Sequence, residues 1–438
     1  MGKNSQVLET TRSPEAQALL KQANDEYFHW DQLFHMELPK GFKHEIVWAI
    51  IKLFRNTNYQ EILLPFLART RLKYQLTGQI IERLHEIDTH ASMTVESNTS
   101  LTGLQGENKD YYLINSLMEE AIASSQLEGA ATTRKVAKEM LRTGRKPRNE
   151  SEKMITNNYH SIKFIVDSVK DKNHLLTPEF IQKIHKMVTN DTLEGKEFEG
   201  AFRITDDIVV LDQATQEVMY TPPLAAIVPK AVQDICTFAN RKDDPYIHPL
   251  IKAIILHFLI GYVHPFVDGN GRTARALFYW YCLKNDYWLF QFTSISRILK
   301  QAPSQYQKAY LYTETDEMDL NYFLNFNLDS THRAMIELKS YINQKQKEIR
   351  EATRIIQKVP NINLRQSLLL KEIIKHPDKI FTIQEIQNTH NVVYQTARTD
   401  LDHLTEKGFL EKKLTGKKFI YYKSAQFDRK LKEILETK

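Results

Sequence analysis

An almost wholly apolar run from Leu250 to Val263 constrains the fold of this 438-residue chain more than any other feature. The run is too short to cross a lipid bilayer, and it carries Lys252 and His257. We therefore predict a helix that is buried on all sides. Such a helix would hold the segment that follows it in a fixed position.

That segment reads His264-Pro-Phe-Val-Asp-Gly-Asn-Gly-Arg-Thr-Ala-Arg275. A second helical pattern, residues 272–284, leaves it, so residues 268–271 are expected at a helix N-terminus. The backbone N–H groups and the helix dipole attract anions at that position. Gly269 and Gly271 allow the backbone to approach a phosphate closely.

Side chains in the same segment supply further chemistry. Arg272 and Arg275 are charge-assisted donors for phosphate oxygens, and Asp268 is a hard oxygen ligand suited to Mg²⁺. His264 is a base that titrates near neutral pH. Each residue alone is ordinarily structural, part of a plain turn, or solvated. Together they meet the requirements of phosphoryl or nucleotidyl transfer.

The segment resembles the Fic family signature, His-Pro-Phe-x-(Asp/Glu)-Gly-Asn-Gly-Arg-x-x-Arg, and matches it at every defined position. The resemblance implies a mainly α fold, in which a helical core carries a small β-hairpin flap. It also implies transfer of AMP from ATP, the co-substrate, to Ser, Thr or Tyr hydroxyls of proteins.

The resemblance also implies a role for each residue of the segment. His264 would deprotonate the target hydroxyl, Asp268 would hold Mg²⁺ on the α- and β-phosphates, and Phe266 would pack and anchor the loop. Nucleotide contacts would come from Gly269, Asn270 and Gly271 at the α-phosphate, Arg272 at the β-phosphate and Arg275 at the γ-phosphate. Doc-like kinases carry Lys in place of Gly271, and some phosphocholine-transferring relatives carry Ala in place of Gly269. Glycine at both positions favours AMP transfer.

A helical pattern that precedes this segment in the sequence places the carboxylate of Glu128 on an otherwise apolar face. One stripe of this helix contains small or apolar residues followed by an acid, namely Leu113, Leu117, Ala121, Ser124 and Glu128. Glu128 either reaches solvent from the last turn or needs a partner. The run Ser124–Gly129 resembles the Fic inhibitory motif, (Ser/Thr)-x-x-x-Glu-(Gly/Asn). This resemblance implies that Glu128 pairs with Arg275 and blocks the γ-phosphate. Whether the chain also removes AMP stays open.

Residues 204–221 change to a period of two and predict a β-hairpin. In the Fic resemblance this hairpin is the flap, whose edge pairs with an extended target segment. Candidates for the target-facing edge are Ile208, Val209, Val210, Leu211 and Tyr220. A purely structural hairpin is the alternative. Tyr306 and Tyr310 are expected either near the adenine or in an aromatic core.

Three helical patterns and two β-like pieces after Pro360 predict a winged helix-turn-helix domain. Ala397, Leu401 and Leu404 would form the buried side of its third helix. Residues 361–438 contain 15 Lys and Arg against 10 Asp and Glu, so this domain carries the whole net charge of +5. It therefore suits either DNA or a protein partner. The candidate DNA contacts are Tyr394, Gln395 and Arg398, with Lys417 and Lys418 from a wing that also carries Lys412 and Lys413.

Four regions are expected. They are an N-terminal helical region (1–108), a Fic core (109–330) with the inhibitory helix at 111–129 and the flap at 204–221, a helical connector (331–360) and the winged domain (361–438). Both cysteines, Cys236 and Cys282, lie in apolar helical patterns, which argues against disulfides or a cysteine metal cluster. The polar first twenty residues predict no signal peptide, so we expect a cytoplasmic protein. The resemblance makes a homodimer plausible.

Two further readings of the whole chain stay open beside an autoinhibited adenylyltransferase. The first is a DNA-binding regulator whose Fic domain senses a nucleotide. The second is a Fic-type transferase that moves another phosphate-containing group.

Overall fold

The computed structural model describes residues 13–68, 70–91, 107–211, 217–359, 361–416 and 418–436. Helices dominate these residues, and the β-sheets among them have only two or three strands. The mainly α fold class that the sequence predicts is confirmed. No helix in this part of the chain is both long and apolar enough to cross a membrane.

Residues group into two compact units that do not follow sequence order. Unit 1 takes in residues 1–91, 164–288 and 298–333. Its elements are α1 (Pro14–Asp25), α2 (Trp30–Phe34), α3 (His44–Asn56), β1 (Gln60–Ile62), β2 (Leu72–Tyr74), α4 (Gly78–Ala91), α8 (Pro178–Thr189), β3 (Val210–Leu211), β4 (Val218–Tyr220), α9 (Val228–Asn240), α10 (Pro249–Val263), α11 (Asn270–Lys284), α13 (Pro303–Thr315) and parts of α7 (Glu150–Ser168), α12 (Ile295–Gln301) and α14 (Asn321–Lys358).

Unit 2 takes in residues 92–163, 289–297 and 334–438, including the remaining parts of α7, α12 and α14. Its other elements are α5 (Glu107–Leu127), α6 (Arg134–Thr143), α15 (Leu364–Lys375), β5 (Phe381–Thr382), α16 (Ile383–His390), α17 (Tyr394–Glu406), β6 (Leu410–Thr415), β7 (Lys418–Lys423) and α18 (Phe427–Glu436). The strand order β5-β7-β6 is antiparallel throughout. The predicted domain boundaries at 108, 330 and 360 stay predictions.

The apolar run forms α10, a helix of unit 1 that is buried along most of its length. Twelve of its fifteen residues are buried, including Lys252 and His257. The Lys252 ammonium is satisfied by Asp243, 2.7 Å away. Helix α10 packs against α9 and α11, and α11 packs against α8. Thr177 caps α8, since its hydroxyl accepts from the Phe180 N–H at 3.2 Å, and Pro178 occupies the first turn.

Within the N-terminal region that was expected to be helical, α1 begins at Pro14 and is capped by Ser13. This helix buries Ala16, Leu19, Leu20 and Ala23. The stretch interpreted as mainly helical contains the β1–β2 hairpin, whose three-residue strands give little periodic signal. The helix predicted at 111–129 is present as α5, with its bounds at 107–127.

The C-terminal helices and hairpin occur in the order that the sequence predicts. Ala397, Leu401 and Leu404 are fully buried in its core, as expected. Two elements were not predicted, β5 and the final helix α18. Strand β5 has two residues and is ordered by pairing with β7, where Phe381 faces Tyr421. The winged-helix assignment and its ligand stay predictions.

Candidate functional site

The loop between α10 and α11 is closed by its own polar groups. His264 ends α10 in the left-handed region, at φ 49°, and its N–H donates to the Ile260 carbonyl at 3.0 Å. The buried Asn270 side chain accepts from the Phe266 N–H at 3.0 Å and donates to the Phe266 carbonyl at 2.9 Å. Asn270 therefore fixes the loop, and its contact with a phosphate stays a prediction.

His185 on α8 is a site residue that the sequence reasoning missed. Its ring lies parallel to the fully buried Phe266 ring, with centroids 3.6 Å apart. Nδ1 accepts from the Gly200 N–H at 2.9 Å, so Nε2 carries the proton and donates to the Asp268 carbonyl at 2.8 Å. Burial lowers the pKa of His185 to about 4. The only available signal was a histidine on the apolar face of α8.

Gly269 is required by both backbone and space. It precedes α11 at φ 80°, where L side chains are strained. A Cβ at this position would lie 2.7 Å from Thr189 Cγ2 and 3.3 Å from His185 Nε2. The amides of the first turn of α11 follow directly, and such amides have no acceptor within their own helix. The helix N-terminus that the sequence predicts at residues 268–271 is therefore present, and its binding of an anion stays a prediction.

Arg272 is buried beneath the loop. Its Nη1 donates to the Val188 carbonyl at 2.8 Å, and its Nη2 contacts Asp268 Oδ2 at 3.0 Å. Its Nε is buried and has no hydrogen-bond acceptor among the described residues. The Asp268 carboxylate is 58% exposed. Arg272 thus orients the outward carboxylate that was predicted to bind the metal.

The surroundings of Arg275 are buried and aromatic. Arg275 is itself buried, and its charge adds to burial in lowering the pKa of His257 to about 3. His257 Nε2 lies 2.7 Å from the Tyr306 hydroxyl. Tyr310 packs on Phe258, with ring centroids 5.4 Å apart. These contacts support the aromatic-core alternative for Tyr306 and Tyr310. His257 belongs to the same buried core.

The predicted flap forms a short and irregular hairpin. Val210 pairs with Tyr220 and Leu211 with Val218, with a register shift between them, and residues 212–216 lie outside the described residues. Val209 and Leu211 are each 39% exposed, whereas Ile208 and Val210 are half-buried. The Tyr220 hydroxyl donates to the Tyr262 carbonyl at 3.0 Å. Tyr220 therefore anchors the flap on α10 instead of facing a target.

Arg203 joins the base of the flap to the loop and was also missed as a site residue. Its buried guanidinium donates to the carbonyls of His264 at 2.8 Å, Thr205 at 3.1 Å and Val263 at 3.4 Å, and also to Pro223. Its backbone N–H donates to the Pro265 carbonyl at 2.9 Å. A single side chain thus connects both sides of the flap to the residues around His264.

The predicted inhibitory stripe lies on α5 in unit 2. Leu117, Ala121 and Ser124 are buried, as the stripe predicts. Helix α5 ends at Leu127, and the half-buried Glu128 follows in a turn, where its N–H donates to the Ser125 carbonyl at 3.1 Å. Arg275 belongs to unit 1, so its pairing with Glu128 stays a prediction.

The predicted DNA-contacting residues divide into three groups. Tyr394, Gln395 and Lys418 are exposed. Arg398 is also exposed, and its Nε contacts Asp402 at 3.3 Å. Lys417 lies outside the described residues.

Comparison with known proteins gives relatives of one family. The model of the Fic/DOC family matches residues 175–282. A protein adenylyltransferase Fic of Nematostella vectensis is 30% identical over 119 residues, which are 27% of this chain and 25% of that protein. One of Aedes aegypti is 23% identical over 269 residues, 60% of this chain and 49% of that protein. The matches thus span about half the length of these relatives or less.

A solved structure shares the fold. A Fic family protein from Desulfovibrio desulfuricans G20 superposes with a TM-score of 0.50 at 17% identity, over 80% of this chain and 98% of that one. Since the matched residues contain α8, the flap, the loop and most of α11, the described site lies inside the matched region. This chain therefore contains a domain of the Fic/DOC family.

Proposed function

We propose that the chain transfers AMP from ATP to a Ser, Thr or Tyr hydroxyl of a protein. The observation that carries the proposal is the loop itself, in which His264 precedes the N-terminus of α11. The names of the relatives, protein adenylyltransferases, support the same reaction.

His264 would act as the general base. Its Nδ1 lies 3.2 Å from the Gly261 carbonyl, which can only accept, so Nδ1 carries the proton in the neutral ring. Nε2 is then the atom that takes the proton of the target hydroxyl. The hydroxyl oxygen forms a bond to the α-phosphorus, the bond from that phosphorus to the bridging oxygen breaks, and pyrophosphate leaves. The left-handed backbone at His264 and the Arg203 contact fix the position of this base.

The triphosphate would lie over the N-terminus of α11. Amides of its first turn and the helix dipole would stabilise negative charge on the α-phosphate. Arg272 and Arg275 add positive charge from beneath, and the orphaned Nε of Arg272 is a donor that a phosphate oxygen could satisfy after a small movement. In this arrangement Arg272 would contact the β-phosphate and Arg275 the γ-phosphate.

Asp268 would hold Mg²⁺. The described residues contain no group of three or more His, Cys, Asp or Glu side chains that could hold a metal. A site with one protein carboxylate fits Mg²⁺, which commonly binds through one or two carboxylates together with phosphates and water. When bound, the ion would neutralise charge on the phosphates. Arg272 keeps the Asp268 carboxylate directed outward for this purpose.

Glu128 would repress the resting enzyme by pairing with Arg275, and the motif that ends α5 carries this part of the proposal. AMP incorporation by the wild type, Glu128→Gly and Glu128→Gln tests it. We expect both variants to exceed the wild type, since both remove the charge that would pair with Arg275. Equal activity of all three proteins would contradict autoinhibition.

The transferred group is tested with ATP labelled separately at the α- and γ-positions. Glu128→Gly protein with Mg²⁺ should place only the α-label on protein, and His264→Ala should lose that label. Incorporation of the γ-label would indicate phosphoryl transfer instead. Binding of ATP with no label on any protein would favour a nucleotide-sensing regulator.

A further inference from the structure

The C-terminal helix α16 contacts both α5 and α6 within unit 2. Asn388 Nδ2 donates to the Arg142 carbonyl at 3.0 Å, and Arg142 Nη2 lies 3.1 Å from Glu385 Oε1. Gly144 ends α6, and a Cβ there would lie 2.9 Å from Asn388 Nδ2. We call Arg142, Gly144, Glu385 and Asn388 the α6–α16 joint.

The acidic partner at this joint is shielded from water, whereas the Arg142 side chain is 32% exposed. The Glu385 carboxylate is nearly buried, and Lys379 lies 3.5 Å from its Oε1. Removing one partner of a buried ion pair leaves an uncompensated charge, which is strongly unfavourable. A small displacement of α16 would therefore break the hydrogen bond of Asn388 or the ion pair of Glu385.

Helix α6 is in turn bound to α5. The Glu119 carboxylate of α5 accepts from Arg134 at 2.7 and 2.6 Å and from Lys138 at 2.8 Å. The two helices also share a hydrophobic core, to which α5 gives Ile114, Met118 and Ile122 and α6 gives Ala137, Met140 and Leu141. A displacement at the joint would thus reach the helix that leads to Glu128.

The same C-terminal region turns a different surface outward. We call Tyr394, Gln395, Arg398, Lys413 and Lys418 the basic face. All five residues are exposed. They lie on α17 and on the β6–β7 hairpin, the elements that follow α16. The positive charge of this face comes mainly from the lysines of the β6–β7 hairpin, since α17 carries Arg398 against Asp400, Asp402 and Glu406. Such lysines suit the phosphates of duplex DNA, which accepts a helix in its major groove.

We propose that duplex DNA on the basic face controls AMP transfer through the α6–α16 joint. This inference rests on the proposed function. Binding of DNA would shift α16 and hence α5, and so change how firmly Glu128 is held. Because coupling is reciprocal, ATP should alter DNA affinity by the same factor by which DNA alters ATP affinity.

The closing experiment uses the full chain and a DNA duplex of about two helical turns at low salt. Fluorescence anisotropy gives DNA affinity, hydrogen exchange reports the α5 amides, and α-labelled ATP reports AMP transfer. We expect DNA to change α5 exchange and to change AMP transfer at least about fivefold. Since hydrogen exchange needs no chemistry, the regulatory inference can succeed or fail separately from the proposed reaction.

Two sets of variants separate binding from coupling. Lys413→Glu with Lys418→Glu should weaken DNA binding at least tenfold and remove both effects. Asn388→Ala should keep DNA binding and lose the response of α5. Asn388→Asp, which keeps the side-chain size and lacks the donor to the Arg142 carbonyl, should do the same if Asn388→Ala folds poorly. The exposed Asn173→Ala is the matched control and should respond as the wild type does.

Three results would overturn the inference. One is absence of DNA binding at low salt, where phosphate contacts are strongest. Another is binding that leaves α5 exchange unchanged, or joint variants that respond like the wild type. The third is a full response to heparin, because a flexible polyanion lacks the groove that α17 would enter.

Discussion

The loop and the flap lie in the same domain and are ordered in opposite ways. In the loop, Asn270, Arg272 and His185 direct their polar atoms to loop or helix backbone, and Gly269 has no room for a side chain. In the flap, strands of two and three residues pair with a register shift and leave the apolar Leu211 exposed. The loop is fixed by Asn270 within it and by hydrogen bonds to α8, whereas the flap depends on its base.

This difference matches two different tasks. Transfer to phosphorus needs groups held within fractions of an ångström, which a loop bound to helices can provide. An unidentified target segment needs an accessible strand edge, which a short hairpin can provide. Arg203 connects the two regions, because it donates to carbonyls of both. The following predictions test whether rigidity belongs to the loop and adaptability to the flap.

The largest expected effect comes from Gly269→Ala. The new Cβ would need a strained φ and would press on Thr189 Cγ2, so α11 would shift away from His264. We expect AMP transfer to fall at least about 100-fold, since small misplacements cost that much. We also expect a loss of about 1–3 kcal/mol of stability. Enzyme assays and chemical denaturation measure these two quantities.

Gly41→Ala is the matched control for backbone strain, because Gly41 has φ 95° and no atoms near a new Cβ. It should lose stability and keep activity. Thr189→Ser removes the methyl group, keeps the hydroxyl that donates to the His185 carbonyl, and should partly restore Gly269→Ala. Full activity in Gly269→Ala alone would show that the loop is not rigid.

Arg203→Lys should produce the second-largest effect. One ammonium cannot reach carbonyls on both sides of the flap base, so some would lose their donor. We expect AMP transfer to fall about 10-fold or more and stability to fall by about 2 kcal/mol. Arg71→Lys, in an exposed pair with Glu61, should change stability by less than about 0.5 kcal/mol. If both variants behave alike, Arg203 does not anchor the flap.

The sequence predicts the loop better than its supports. The run from His264 to Arg275 is local, so its glycines and helix N-terminus are readable from residue order. The supports come from far along the chain, since His185 precedes Asp268 by 83 residues and Arg203 precedes His264 by 61. No local pattern marks such partners. The β1–β2 hairpin and strand β5 were not predicted for a related reason. Strands of two or three residues are ordered by their pairing with other segments and leave little periodic pattern in the sequence.

The buried His185, which hydrogen-bonds to the loop, should make the free energy of unfolding depend on pH. His185 has a pKa lowered to about 4 by burial, whereas the unfolded ring titrates near 6.5. Its neutral form therefore contributes stability that is fully present above pH 6.5 and is lost as pH falls towards 4. Between pH 7 and pH 5 the loss should reach at most about 2 kcal/mol.

His185→Gln tests this dependence by thermal unfolding at both pH values. The variant should be less stable at pH 7, because the stacking on Phe266 is lost, yet it should lose less stability on acidification. Other buried histidines, such as His257 and His390, become protonated in the wild type and in the variant alike, so their contribution cancels in the comparison. Parallel pH profiles of wild type and variant would show that His185 does not couple the loop to protons.

The smallest effect on the fold is expected at the flap edge. Leu211 is exposed on a two-residue strand, so Leu211→Ser removes little buried surface and should change stability by less than about 0.5 kcal/mol. If the edge receives the target, KM for the protein substrate should rise several-fold while KM for ATP and kcat stay unchanged.

Leu53→Ser is the control, since it replaces an exposed leucine of α3, and it should alter none of these three constants. An equal loss of kcat in Leu211→Ser would place the flap edge in the chemical step. The contrast between a rigid loop and an adaptable flap would then fail, since both regions would be needed for the same geometry.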